Sequence, residues 1–227
     1  MRINFIQDII DKIRGKKHYV RPVKPDGFFG QYGEDAVLNK LLNNKTNGFY
    51  IDVGANHPTE LSNTYYFYLK GWRGINIEAN PLLISNFNEV RPEDINLNLG
   101  AADVSSDMTF YVLSANTVSS FSEKSAKENC KNHNCTIVDK IKVKTDTLEN
   151  IINHYAPDKH IDFMSVDVEG FDIQALKGND WNKYRPDFLM VETNGKKMTK
   201  LNRLIDKIDY KLIYDNGTNS IYKNVRL

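Results

Sequence analysis

The sequence predicts an α/β fold: a mostly parallel sheet with helices on both faces, closed by an antiparallel C-terminal hairpin. Short apolar runs alternate with amphipathic segments along almost the whole chain, which is the order of a parallel sheet with helical crossovers. The chain ends in YKLIYDNGTNSIYKN, where Asn216-Gly217 favours a tight turn between two extended runs. At 227 residues with 41% hydrophobic and 26% charged residues, the composition is that of a soluble globular protein, not of a disordered or coiled-coil chain.

Each element has its own signal. Ile3, Ile6, Ile10 and Ile13 recur at helical spacing, and Arg21 to Gly30 then carries two prolines and two glycines and reads as a connecting loop. Residues 1–28 are therefore set apart as an N-terminal helix and connection, and 29–227 as one domain. Asp35 to Leu42 offers a short helix. Phe49 to Val53 is a compact apolar run stopped by Gly54, as expected of a buried strand. Leu61 to Lys70 reads as helix ending at Gly71, and Gly74 to Ile77 as a second strand. A helix starts near Pro81, where proline is tolerated, and Ile95 to Leu99 is a third strand. Met108 to Leu113 and Ile137 to Lys144 pair as a hairpin flanking a long polar insertion. Thr145 or Asp146 caps a helix running to about Tyr155. Ile161 to Val168 is the strongest central strand, with a helix over Phe171 to Lys177. Asp187 to Val191 and Lys197 to Ile208 repeat the strand and helix patterns.

Thirty basic against twenty-nine acidic residues leave a net charge of +1, far from the cationic excess with which duplex binders neutralise phosphates. No nucleic-acid partner is expected. The N-terminal segment holds no apolar stretch long enough for a membrane span or signal sequence. It reads as a helix packed on the body or on a partner, and the protein as cytoplasmic. Cys130, His133 and Cys135 lie close together, but no second Cys/His arm supplies the ligands a structural zinc wants, so the thiols read as reduced and unpaired.

Open parallel sheets bind ligands beyond the carboxyl ends of their strands. The residues there are acidic: Asp52 in FYIDVGANHP, Glu78 in GINIEANP, Asp167 and Glu169 in FMSVDVEG, Glu192 in FLMVETNG. Glu78 follows Asp52 by 26 positions (78 − 52), close to the separation at which an acid accepts hydrogen bonds from ribose hydroxyls. The first junction has one glycine, Gly54, instead of the glycine-rich turn that cradles pyrophosphate. Carboxylates in this place suit a phosphate-free adenosine bearing a cation, which is S-adenosylmethionine.

The blocks GQYGEDAVL, FYIDVGANHPTELSNTYYFYLKGWRGINIEANP, NLGAADVSSDMTFYV, VKTDTLENII, IDFMSVDVEGFDIQALKG and RPDFLMVET, in this order, resemble the FkbM-type methyltransferase domain over Phe29 to Thr193. The resemblance implies the class I methyltransferase (Rossmann-like) fold, a seven-stranded sheet with one antiparallel strand near its edge. It implies that Asp52, Gly54 and Asn56 line the methionine side of the cofactor, that Glu78 with Ala79 holds ribose, and that Ala101, Ala102 and Asp103 border adenine. Asp167 and Glu169 would lie by the reaction centre, and Gln31 and Asp35 in a block that folds back over the cofactor. Pro58 stands where many class I enzymes have glycine.

Methyl transfer to oxygen needs in-line approach and a departing proton, so positioning and a base are both expected. Asp167 is the first candidate base, with His57 and Glu192 behind it, and Asp167, Glu192 and Asn194 could together hold a divalent ion as in catechol-type methyltransferases, which they resemble in this respect. Bland alternatives stand beside these: Asp167 as helix cap, His57 as a turn residue bonded locally, His154 and His160 facing solvent, Trp72 packing. The expected activity is O-methylation of a sugar hydroxyl in a surface glycan or its activated precursor, with a small natural-product acceptor next. A homo-oligomer is possible. A nucleotide-dependent oxidoreductase, protected by NAD against thermal unfolding, and a non-catalytic nucleoside-binding module are the rival classes.

Overall fold

The structure, a computed structural model, describes residues 24–193 and 199–226. The expected N-terminal helix and Asn194 lie outside the described residues.

Phe49–Val53 (β1) is the middle of the molecule. It pairs in parallel with Arg73–Ile77 (β2) on one side and Phe163–Val166 (β7) on the other. Ile95–Leu97 (β3) extends the sheet beyond β2, and Phe188–Glu192 (β8) extends it beyond β7, both in parallel. Tyr210–Asp215 (β9) and Asn219–Asn224 (β10) form the terminal hairpin, and β10 inserts antiparallel between β8 and β9. The seven-stranded order is β3-β2-β1-β7-β8-β10-β9, the sheet that the resemblance implies.

Side chains alternate across the pleat. Ile51, Val53, Ile75, Ile77, Met164, Val166, Leu189 and Val191 face one apolar cluster. Onto it pack the helices Leu148–Tyr155 (α5), Asp172–Lys177 (α6) and Thr199–Lys207 (α7). Tyr50, Phe163, Phe188 and Met190 face the opposite cluster, covered by Glu34–Leu41 (α1) and Tyr65–Leu69 (α2). Pro81–Val90 (α3) starts from Asn80, whose side chain accepts the Leu82 amide at 3.0 Å, and its far end brings Arg91 over the Tyr50 ring.

Three expectations are corrected, the first being the cap of α5, which is Thr147, its hydroxyl accepting the Asn150 amide at 3.1 Å, and not Thr145 or Asp146. The helix expected from Leu61 begins only at Tyr65, because Leu61 takes φ 55° and the hydroxyl of Ser62 accepts the Tyr65 amide at 3.1 Å, turning the chain before a helix can propagate. The strand expected to reach Leu99 stops at Leu97, and Gly100–Ala101 (β4) joins a separate small sheet. In that sheet Ser106–Leu113 (β5) pairs antiparallel with Ile137–Asp146 (β6), as the hairpin expectation had it, each strand two residues longer at the base. The polar insertion between them is itself ordered, holding a short 3-10 turn at Asn116–Val118 and the helix Glu123–Asn132 (α4), capped by Ser122.

Candidate active site

The carboxyl ends of β1, β2, β7 and β8 open into a cavity of about 590 Å³. Asp52, Gly54, Asn56, Glu78, Ala79, Ala101, Asp167, Glu192 and Gln31 all line it, so most of the residues singled out from sequence meet in one place. Three do not. His57 is held in its own turn, where Nδ1 accepts the amides of Glu60 at 2.9 Å and Thr59 at 3.3 Å. Ala102 is buried behind the wall with its N–H on the Asp146 carbonyl, and Asp103 is exposed. Asp35 is likewise off the cavity, buried at the start of α1 with its carboxylate accepting the Phe29 amide at 2.6 Å. Burial pushes its carboxyl up to about 6 against those backbone bonds.

Gly54, which lines the cavity, takes φ 82°, and a Cβ there would come within 1.8 Å of the Asp167 carbonyl, so glycine lets β1 and β7 close on each other. With no glycine at Pro58, the loop turns instead at Asn56, φ 54°, and the Pro58 carbonyl accepts from Arg91 at 3.4 Å.

Glu78 is aimed by the backbone. One carboxylate oxygen accepts the Asn56 amide at 2.9 Å and the other the Asn80 amide at 2.7 Å. Each oxygen keeps a further lone pair for a ligand hydroxyl. Burial pushes the Glu78 carboxyl up and the two amides pull against it. Asp52 is buried too, and Thr64 Oγ1 donates to its Oδ2 at 2.6 Å.

Asp167 is not the helix cap. Phe171 occupies the N-cap of α6 with no side-chain cap bond, and Asp172 ties down the loop before the helix, accepting the amides of Val168 and Gly170 at 3.2 Å each. Asp167 Oδ1 is buried with no hydrogen-bond partner. Burial, followed by the neighbouring carboxylates of Glu192, Asp172 and Asp52, holds its carboxyl well above the usual range. One carboxylate oxygen from each of Asp167, Glu169 and Glu192 lies within 4.8 Å of the others. Glu169 takes φ 53°, and the insertion grips it: Asn129 donates to its carboxylate at 3.1 Å and Ser120 to its carbonyl at 2.9 Å.

Sequence reasoning missed the roof. Glu34 is fully buried and accepts from Asn216 at 2.9 Å, Asn219 at 2.8 Å and the Tyr32 amide at 2.8 Å, fastening the Gln31–Tyr32 wall to the terminal hairpin across the sequence. The insertion adds Asn116, Asn129, Asn132 and His133 to the lining. Cys130 and Cys135 are free thiols, His160 pairs with Asp187 at the surface, and Trp72 is wholly packed, as expected.

Among the described residues, no helix is long and apolar enough to cross a membrane. The methyltransferase FkbM domain matches residues 52–218. Among solved structures, the chain is similar to an FkbM methyltransferase from Methylobacillus flagellatus KT, with TM-score 0.49 and 14% identity over 78% of this chain and 44% of that one. This chain thus spans under half of that protein's length. It is also similar to a TehB-like SAM-dependent methyltransferase from Corynebacterium glutamicum, with TM-score 0.47 and 10% identity over 97% and 96% of the two chains. An O-methyltransferase from Bacillus cereus, in complex with SAH, gives TM-score 0.40 and 9% identity over 99% and 92%. No curated protein matches.

Proposed function

The chain belongs to the FkbM family of S-adenosylmethionine-dependent methyltransferases, and from that premise we propose that it methylates a hydroxyl of a sugar, in a surface glycan or its activated precursor, in the cytoplasm. The observation that supports this reading is the convergence of buried acids on one cavity, with Glu78 already aimed by two backbone amides.

The residues present fit the cofactor. When bound, S-adenosylmethionine supplies an electrophilic methyl on a sulfonium. Asp52 faces its cationic methionine end, and Glu78 takes the ribose hydroxyls, with two charge-assisted bonds at about 1.5–3 kcal/mol each. Asp167 then has the proton work. A sugar hydroxyl is a poor nucleophile until its proton is leaving, and a carboxylate with an unpartnered buried oxygen and a raised pKa has both a free acceptor and a stronger basicity than an ordinary aspartate.

A divalent cation is the second reading. Three carboxylates within 4.8 Å repel one another, and a cation relieves that repulsion as well as a shared proton does. Of the set expected from sequence, Asp167 and Glu192 remain, Glu169 joins them, and Asn194 lies outside the described residues.

The test is mass spectrometry of a panel of glycans and nucleotide sugars incubated with labelled cofactor, with and without chelator. One methyl gained on a sugar oxygen supports the reading; transfer confined to non-sugar acceptors overturns the substrate class. Loss of transfer on chelation favours the cation. Glu78→Ala is expected to lose about 3 kcal/mol of cofactor affinity, roughly a hundredfold by calorimetry. Unchanged affinity would remove the ribose assignment.

A further inference from the structure

Behind the cavity, on the face of the sheet that carries α1 and α2, a chain of buried polar groups leads to Asp52. Arg91 is fully buried at the end of α3. Its Nε donates to Asp94 Oδ2 at 2.9 Å, and its Nη2 donates to the Tyr50 hydroxyl at 2.7 Å and to Thr64 Oγ1 at 3.0 Å. Tyr50 in turn donates to Asp94 at 2.6 Å. Asp94 also accepts the Gly74 amide at 2.8 Å and the Asn76 side chain at 3.0 Å, so its own acceptor capacity is used within the network.

Thr64 is the link between this network and the cavity. Its hydroxyl has one hydrogen and two lone pairs. A guanidinium can only donate, so the Arg91 contact occupies a lone pair and leaves the hydrogen for Asp52, 2.6 Å away. The direction of the chain is thereby fixed: Arg91 to Thr64 to Asp52. Thr64 itself lies off the cavity, while Asp52 lines it. The segment that carries Thr64 is the one sequence patterning assigned to helix. Thr64 instead sits in a turn ahead of α2, where Ser62 Oγ accepts the Thr64 and Tyr65 amides at 3.3 and 3.1 Å.

We propose that Thr64 is a positioning residue for the cofactor: oriented by Arg91, it fixes the Asp52 carboxylate in the ionised form that faces the cofactor's cation. This rests on the reading of Asp52 given under Proposed function. The charged groups around Asp52 are Arg91 and Asp94 from the α3–β3 connection, Glu78 from the end of β2 and Asp167 from the end of β7. Arg91 favours the ionised form and the three acids oppose it. Burial raises the Asp52 carboxyl and the Thr64 hydroxyl lowers it, so losing that hydroxyl moves ionisation to higher pH.

The experiment is calorimetric titration of the full chain with S-adenosylmethionine and with S-adenosylhomocysteine, from pH 6 to pH 9, on wild type, Thr64→Val and Thr64→Ser. Thr64→Val keeps the volume and removes the hydroxyl; Thr64→Ser keeps the hydroxyl. Thr64→Val is expected to weaken binding about tenfold at neutral pH, as for a lost hydrogen bond to a charged group, and to recover as pH rises. Thr64→Ser is expected to bind as wild type does. Wild-type affinity in Thr64→Val at every pH, with the wild type binding, overturns this inference alone. An equal, pH-independent loss in both variants means that Thr64 only packs, and overturns it too. A wild type that binds neither molecule overturns the cofactor reading and this inference with it. Folding of each variant is checked by its thermal transition.

Discussion

On one face of the main sheet α5, α6 and α7 bury Leu148, Ile151, Ile152, Leu176, Leu201 and Ile205 against the strands, a contact made of aliphatic side chains. On the other face the aromatic rings of Tyr50, Phe67, Trp72 and Phe163 pack on one another, and beside Tyr50 lies a guanidinium that water does not reach. Arg91 there touches the rings of Tyr50, Tyr68 and Phe87 and holds Asp94 in a fully buried ion pair. Apolar burial is non-directional and tolerant of repacking, whereas a buried ion pair is stable only if every donor and acceptor is met. The first face therefore holds the sheet together. The second fixes where the loops after β1 and β2 stand, and those loops line the cavity.

Arg91→Met tests the difference most severely. Removing one partner leaves Asp94 buried and uncompensated, at a cost of about 3–5 kcal/mol, read from denaturant unfolding. Cofactor affinity should fall along with stability, because Thr64 and the Pro58 carbonyl lose their donor. Leu148→Ala on the opposite face should cost a comparable but smaller amount, about 2–5 kcal/mol with the lower half expected if the site collapses. Calorimetric affinity for S-adenosylmethionine should then stay within a factor of two of wild type. If Leu148→Ala weakens the cofactor as much as Arg91→Met does, the two faces are not functionally distinct.

The contrast also marks what a single sequence displays. The aliphatic face was legible because strands and helices there repeat at fixed periods, and the acids at strand ends were legible because topology alone sends them to one edge. Asp52, Glu78, Asp167 and Glu192 meet there. Nothing periodic marks Arg91, Asp94 or Thr64, whose partners come from separate elements, Arg91 meeting Thr64 across 27 positions and Tyr50 across 41. Glu34 is in the block quoted for the resemblance, yet its partners Asn216 and Asn219 stand 182 and 185 positions away. The first turn of the helix expected from Leu61 failed for a related reason: apolar spacing was right, but Ser62 offers the backbone a local acceptor that ends in a turn.

Asp167 extends the comparison to pH. Burial and three neighbouring carboxylates raise its carboxyl well above the usual range in the folded chain. A group with a raised folded-state pKa contributes stability at low pH, and that contribution is lost as pH rises through the folded value. Above it the folded chain carries a charge it does not accommodate. Asp167→Asn should therefore stabilise the cofactor-free protein at pH 8, by an amount on the order of 1 kcal/mol, and do little near pH 4. Thermal unfolding at the two pH values measures this. The same variant should lose turnover, so that stability and activity move in opposite directions. A destabilised variant at pH 8 would mean that the repulsion is already relieved in the wild type.

The smallest effects separate the faces most cleanly, because helix caps act locally. Thr147 caps α5 on the aliphatic face, its hydroxyl accepting the Asn150 amide at 3.1 Å. Asn80 caps α3 beside the cavity, its side-chain oxygen accepting the Leu82 amide at 3.0 Å while its own N–H holds Glu78 at 2.7 Å. Thr147→Ala should cost about 1 kcal/mol of stability, the usual worth of a cap, and leave cofactor affinity alone. Asn80→Ala should cost less, since the side-chain Nδ2 of Asn80 is buried without a partner and losing it offsets part of the lost cap. Its effect should surface in binding instead: once the first turn of α3 loosens, the amide that aims Glu78 is no longer fixed, and affinity should drop a few-fold. Unfolding and calorimetry on the two variants should thus rank them in opposite orders, and identical rankings would show that the cap beside the cavity does no more than end a helix.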